Sequence, residues 1–429
     1  MNIRSVCAYA ILDSRGNPTV EAEVTLDDGI TGLGLAPSGA STGQFEAHEL
    51  RDGPGGRYLG KAVDRAIANV NGELQQVLRG RDVLDQAGID AAMIAADGTE
   101  GKSRLGANAL LAVSMAVARA GAASRGIPLH AHLGSGTLIP LPEIQIMGGG
   151  LHAGGRIDVQ DFMVIITGAR DYDEVLEKTF LIHRCAGEIL KREGRLAGVA
   201  DEGGYWPEIA GNEAAFELLL RAIEDAGCTP GKDVHLSLDI AASDLLKDGR
   251  YHFRSEGRSF TREQFADLML GWLRQYPIIS IEDPMADTDR DGWRLMAQAA
   301  RSRVQLIGDD LFTTNLARID AGIADGLANS VLIKLNQIGT VSETIAAIRR
   351  TQAAGWLPVV SARSGETEDA FISHLAVATD AGQLKVGSLT RSERNVKWNE
   401  LTRIRRGLGE RAGFLGGRIF DRIIARPTA

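Results

Sequence analysis

The sequence predicts an α/β protein, a (β/α)8 barrel preceded by a smaller α+β domain, and three observations carry that expectation. Six apolar runs in the second half each stop on a polar or charged side chain. They are HLSLD at Asp239, IISIED at Glu282, QLIGDD at Asp309, SVLIK at Lys334, PVVSARS at Arg363 and Ser364, and QLKVGS around Lys385. A short apolar run of this kind is a candidate buried parallel strand, and charges at the carboxyl ends of successive strands lie where such a barrel gathers its chemistry. Glu282, Asp309, Lys334 and Arg363 also recur at intervals of roughly 25 to 29 residues, the rhythm of βα units. Finally, 429 residues are too many for one small domain and suit a barrel with a companion.

The first 135 residues read as that companion. In TVEAEVTL from Thr19, Val20, Ala22, Val24 and Leu26 alternate with Glu21, Glu23 and Thr25, the pattern of a half-buried strand, and Asp27, Asp28 and Gly29 supply a turn into the next. APSGASTG (residues 36–43) is a Gly/Ser loop without an apolar anchor and is expected to be mobile. Val63, Ala66, Ile67, Val70, Leu74, Val77 and Leu78 then share one face at helical spacing. Strands followed by helices give an α+β domain over 1–135, and Pro128, Pro140 and Pro142 bracket the passage to a barrel over 136–429.

Composition narrows the function classes. Hydrophobic content of 44% with 24% charged residues is ordinary for a soluble globular chain. A net charge of −9 argues against a general nucleic-acid binder. It does not exclude an anionic substrate, because Lys, Arg and metal ions can dominate one pocket. Cys7, Cys185 and Cys228 are widely spaced and odd in number, so no disulfide framework is expected and a reducing cytoplasm is the default. Met1 leads into a mixed segment with no signal-peptide pattern. The stretch from Gly106 to Gly126 is Ala-rich and carries Asn108, Arg119 and Arg125, which fits a tightly packed helix better than a membrane span.

Asp239, Glu282 and Asp309 are three carboxylates from three strands, an oxygen-rich set suited to Mg2+ rather than Zn2+, although acids on a surface are more often simply solvated. Lys334 at a barrel mouth, close to metal ions and another cation, is expected to have a depressed pKa and to act as a general base; a structural lysine paired to an acid is the plainer reading. Arg363 and Ser364 offer a guanidinium fork and a hydroxyl to a phosphoryl group. GVADEGG adds Asp201 and Glu202 among glycines, and GGGLHAGGRIDVQDF adds His152, Gln160 and Asp161. His130, His132 and His374 carry only a structural reading. The grouping points to metal-assisted chemistry on a phosphorylated acid.

Together these segments resemble the enolase family over nearly the whole chain. LDSRGNPTVE, APSGASTG, HAGG, DEGG, SIEDP, GDDLFTTN, ANSVLIKLNQIGT, RSGETED, GQLKVGS and RSER stand in the order in which that family has them. The resemblance implies a modified TIM-type barrel with the amino-terminal α+β domain as a cap, a homodimer or a higher homo-oligomer, and two Mg2+ per active site. It implies that Asp239, Glu282 and Asp309 hold the first ion and that Ser41 closes over the second. Lys334 would remove the proton α to a carboxylate, and Glu202, with His152 and Asp161 nearby, would assist departure of the β-hydroxyl as water. Lys385 would steady the enediolate, Arg363 and Ser364 would grip the phosphoryl group, and Gln160 would lie against the substrate. The substrate would be a small phosphorylated carboxylic acid, with no nucleic acid or membrane as partner.

The departures from the family pattern fall around the substrate. Ala362 stands where the family usually has histidine, Asp161 where it has glutamate, Gly148 where it has asparagine and Ala200 where it has glycine. Three readings follow. The first is a specialised paralogue eliminating water from a 2-phosphoglycerate derivative with an extra group on phosphorus, as in enolase paralogues of phosphonate natural-product pathways, where a carboxyphosphono ester replaces the phosphate. The second is a glycolytic enolase that tolerates Ala362, and the third is a non-catalytic binding protein.

Overall fold

The computed structural model describes residues 1–39 and 43–424. Ser41, and with it the expected ligand of a second metal, lies outside the described residues. The first domain holds a three-stranded antiparallel sheet of β1 (Ile3–Leu12), β2 (Pro18–Leu26) and β3 (Thr31–Leu35) in that order. β2 differs from the half-buried strand its alternation suggests, since Glu21 and Thr25 are both only 8% exposed. As the middle strand it has a neighbour on each side, and the Tyr9 hydroxyl donates to Glu21 from β1. Its other face, Val20, Ala22, Val24 and Leu26, is fully enclosed with the helix Ala107–Ser124.

That helix passes unusually close to β3. A Cβ on Gly32 would lie 2.3 Å from the Ala116 carbonyl oxygen, and one on Gly34 2.0 Å from that of Ala112. Two glycines opposite a run of alanines therefore bring helix and sheet backbones together. The helix is long and apolar enough to cross a membrane, but 83% of it is buried inside the protein. The predicted helical face is also present: Val63, Ala66, Val70, Leu74 and Leu78 are fully buried along 63–78, with Ile67 and Val77 partly so.

The second domain opens with β4 (Leu141–Gly148) and β5 (Asp161–Ile165), followed by the hairpin β6 (Leu196–Val199) and β7 (Tyr205–Pro207). β8 (His235–Asp239) leads into a small meander of β9 (Leu246–Lys247), β10 (Arg250–Phe253) and β11 (Arg258–Phe260). The remaining strands are β12 (Ile278–Glu282), β13 (Gln305–Gly308), β14 (Ser330–Ile333), β15 (Leu357–Ser361) and β16 (Gln383–Gly387). The ring runs β4-β5-β8-β12-β13-β14-β15-β16 and closes where β16 pairs with β4.

One strand breaks the uniform βα rhythm: β5 is antiparallel to both neighbours. Residues 149–160 return the chain by loop and a single 3-10 turn at Gly150–Ala153, without the crossover helix a parallel neighbour requires. The reversal places the first residue of β5 at the barrel end where the other strands finish, so that Asp161 lies in register with Asp239.

The barrel interior is not uniformly apolar. Glu143 on β4 is fully buried, accepting from Gln383 Nε2 at 2.8 Å and Ser237 Oγ at 3.2 Å. Gln305 Nε2 continues the layer to Gln383 Oε1 at 2.7 Å and Ser330 Oγ at 2.9 Å. Burial pushes the Glu143 carboxyl up to about 7, despite the opposing Lys385 charge.

Candidate active site

The charged strand ends meet at one end of the barrel. Asp239 and Glu282 close β8 and β12, Asp309 and Lys334 directly follow β13 and β14, Arg363 and Ser364 follow β15, and Lys385 lies within β16. His152 comes from the turn after β4, Gln160 and Asp161 from the start of β5, and Glu202 from the turn joining β6 to β7. All of these except Glu282 line a single polar cavity, together with Ala362. Lys385 joins Glu282 to it.

The Lys385 ammonium stands between acids, donating to Glu282 Oε2 at 2.8 Å and Asp239 Oδ2 at 2.9 Å, with Asp161 Oδ2 at 3.7 Å. Burial alone would lower its pKa, but these carboxylates hold it well above the usual lysine value. Gln160 Nε2 and the Ala241 amide also donate to Asp239, at 3.1 and 3.0 Å. Glu282 is fully enclosed, and its Oε1 has no hydrogen-bond partner among the described residues. Burial, then the neighbouring Asp239, raise its carboxyl well above the normal range.

Such a set fits a hard divalent cation: every donor is a carboxylate oxygen, one is buried without a partner, and the acids repel one another. Among the described residues, ligand atoms come within 4.8 Å of each other in two groups, Asp283 with Asp309 and Asp310, and His152 with Asp161 and Glu202. Asp239, Glu282 and Asp309 do not form one such group, and Lys385 separates the first two. Asp283 and Asp310 were not anticipated, although the doubled acids in IED and GDD are a signal that could have found them. Asp283 accepts the Asp309 and Asp310 amides at 2.9 and 2.8 Å, which turns both residues towards the mouth. Burial and then Asp309 push the Asp310 carboxyl up to about 8.

Lys334 Nζ donates to Asp309 Oδ2 at 2.6 Å, while Gln337 Nε2 donates to Asp309 Oδ1 at 2.8 Å. Among the protein's own groups the shift runs opposite to the depression expected beside metal ions. Burial is the largest influence and pulls the Lys334 ammonium down, but the Asp309 and Glu282 carboxylates together more than offset it and the pKa lies above the usual lysine value. The sequence places Lys334 near cations but does not show that its nearest neighbour is an acid.

Arg363 is 5% exposed, and its guanidinium is forked on Glu46, at 2.8 and 3.2 Å, with Asn336 Oδ1 at 2.9 Å. Glu46 also accepts the Gly43 amide at 2.9 Å. Sequence reasoning missed this carboxylate, which follows the Gly/Ser loop only in sequence but meets Arg363 in space. The Arg363 and Ser364 carbonyls accept from Arg394 at 2.6 and 2.7 Å, and the same buried guanidinium reaches the Val386 carbonyl at 2.9 Å. Arg394 of the RSER run thus ties the loop after β15 to β16.

On the other side, His152 Nδ1 lies 3.2 Å from Asp161 Oδ1, and Gln145 Nε2 donates to that same oxygen. Asp161 Oδ2 is buried without a hydrogen-bond partner among the described residues. Burial disfavours the imidazolium, but Asp161 and then Glu202 more than compensate and lift His152 to about 9. Burial would raise Asp161, yet His152 pulls it down to about 2. Glu202 is raised, first by burial and then by the Asp161 charge. One charged pair beside one acid whose carboxyl is raised is an arrangement suited to delivering a proton to a departing oxygen.

Comparison with known families bears on the chain as a whole. Residues 3–133 match the family described as Enolase, N-terminal domain, and residues 136–423 match Enolase, C-terminal TIM barrel domain. The two matches follow one another along almost the entire sequence, and the chain belongs to the enolase family.

Proposed function

We propose that the protein is a magnesium-dependent hydro-lyase that eliminates water from a 2-phosphoglycerate-type substrate carrying an additional group on phosphorus, forming an enol ester. The observation that carries the reading is the pairing of functions across one mouth. Lys334 follows β14, while His152 and Glu202 stand beside β4, and β15 with β16 on one side and four strands on the other lie between. A proton removed by Lys334 and a hydroxyl protonated by Glu202 would leave from opposite faces of the substrate, as an anti elimination requires.

Asp239, Glu282 and Asp309 would hold magnesium, with Ser41 for a second ion. When bound, magnesium supplies positive charge that stabilises the doubly charged enediolate. Lys385 would place its ammonium against the same developing charge, and Gln160 would orient Asp239. Protonated Glu202 would donate to the leaving oxygen while the Asp161–His152 pair fixes the surrounding field. Arg363 and Ser364 would bind the phosphoryl oxygens.

Substrate choice is read from Ala362. Its methyl lines the cavity between Ser361 and Arg363, where the family's usual histidine would project a ring that can carry charge. The smaller side chain leaves room for a substituent on phosphorus such as a carboxylate. The test is a panel: purified protein with Mg2+ is offered 2-phosphoglycerate and its phosphorus-substituted analogues, and enol formation is followed by ultraviolet absorbance. Ala362→His should shift preference towards the unsubstituted phosphate. A variant with unchanged preference contradicts the assignment. Magnesium binding without turnover of any panel member would favour a non-catalytic role.

A further inference from the structure

We propose that Gln145 is a positioning residue of the active site, matched in length to the short acid Asp161, so that the two side chains act as one strut holding the acid against His152. The proposal rests on the elimination reading for its kinetic consequence, but not for its geometry. Gln145 is 0% exposed on β4. Its Nε2 donates to Asp161 Oδ1, the oxygen that faces His152 Nδ1 at 3.2 Å, and its Oε1 accepts the Gly204 amide at 2.8 Å. A single amide therefore joins the first residue of β5 to the turn that carries Glu202.

The surroundings are moulded to that amide. A Cβ on Gly204 would lie 2.5 Å from Gln145 Oε1. A Cβ on Gly148 would lie 2.5 Å from the Ala200 methyl and 3.3 Å from Gln145 Nε2. Gly148 and Ala200, two of the departures around the substrate, thus occupy one another's space: the methyl at 200 is tolerated because 148 has no side chain. Asp161 is the third departure, and it reaches only because its partner across the strands is a glutamine. An acid one methylene longer at 161 would drive its carboxylate into Gln145 or His152, whereas an amide one methylene shorter at 145 would leave Asp161 Oδ1 without its donor. Shortening one and lengthening the other preserves the combined span.

That length exchange is the test. The full-length protein is selectively labelled with 15N-histidine, the His152 ring signals are assigned by loss in His152→Gln, and kcat and KM are measured on the best substrate of the panel. Gln145→Asn and Asp161→Glu should each move the His152 Nδ1 resonance and lower kcat by about a hundredfold, the scale of a misplaced catalytic group, with KM changed much less. The double exchange, Gln145→Asn with Asp161→Glu, should return the resonance and recover most of kcat. Gln145→Met, of similar volume but without donors, should behave as the single shortening does and serves if Gln145→Asn does not fold. An unmoved resonance in Gln145→Asn or Gln145→Met, or a double exchange no better than the worse single, overturns the proposal. If the unaltered protein turns over no panel member, the elimination reading fails while the resonance still decides whether Gln145 positions the pair.

Discussion

The Lys334 ammonium donates to Asp309 Oδ2 at 2.6 Å, with the two side chains only 14% and 11% exposed, so the proposed base and a proposed metal ligand form one enclosed ion pair. The protonation of the site would therefore be tied to a bound metal ion. Without a cation, Asp309 keeps Lys334 protonated, while Glu282, Asp283 and Asp310 sit above the usual carboxylate range. A divalent ion reverses each preference, because it opposes the ammonium and favours ionised carboxylates.

Magnesium binding should accordingly release protons near neutral pH. Titration calorimetry in buffers of different ionisation enthalpy measures this directly: the apparent binding enthalpy should vary linearly with the buffer enthalpy, in the sense of protons leaving the protein. Identical enthalpies in all buffers would contradict the linkage. Asp309→Asn should weaken magnesium by more than tenfold and leave a smaller proton release.

Glu46 places an anion inside the proposed phosphoryl site. Its carboxylate takes two of the Arg363 donors, which a phosphoryl group must share or displace. Glu46→Gln keeps an acceptor for the guanidinium and removes the negative charge, so inorganic phosphate should bind about tenfold more tightly, equivalent to about 1.4 kcal/mol. Calorimetric titration with phosphate decides it. Weaker phosphate binding in this variant would show that the charge of Glu46 aids the anion rather than competing with it.

Glu143 makes a stability prediction with a definite sign. Its folded pKa of about 7 lies above the ordinary 4.5, so the folded state holds the extra proton between those values and stability falls as pH rises through that window. Above about 7 both states are ionised and the loss is constant, at most about 3 kcal/mol. Glu143→Gln, whose amide can still accept from Gln383 and donate to Ser237, should stabilise the protein at pH 8 and much less at pH 4.5. Urea unfolding at the two values should show the difference between variant and parent growing with pH. A constant difference would contradict the assignment.

The barrel and the gathering of its charges were legible because buried strands advertise themselves as apolar runs and each ends on a residue that must face the mouth. The alternation over β2 was misleading for a related reason: it reports a hydrophobic face, but Glu21 is enclosed by a neighbour, Tyr9, that no local pattern reveals. The reversal of β5 was likewise hidden, since VQDFMVI reads the same in either direction and only the missing crossover helix distinguishes them. In the site, Asp239, Lys334 and Arg363 could be found from strand ends. Glu46 and Gln145 could not be placed as readily, because one reaches Arg363 from the other domain and the other lies inside a strand. Two polar residues two positions apart in LPEIQIMG, Glu143 and Gln145, do mark an inward-facing polar row among apolar neighbours. The acid nearest to Lys334 is likewise set by tertiary structure, which no local pattern shows.

The most direct test of the proposed chemistry is a comparison of kcat/KM, in the presence of Mg2+, for plain 2-phosphoglycerate and for the analogue in which a carboxyphosphono group replaces the phosphate. The specialised reading requires the substituted analogue to be turned over with the higher kcat/KM, and Ala362→His to reverse or sharply narrow that ratio. Rapid turnover of 2-phosphoglycerate with no preference for the analogue would contradict it and make the protein an ordinary phosphopyruvate-forming enolase.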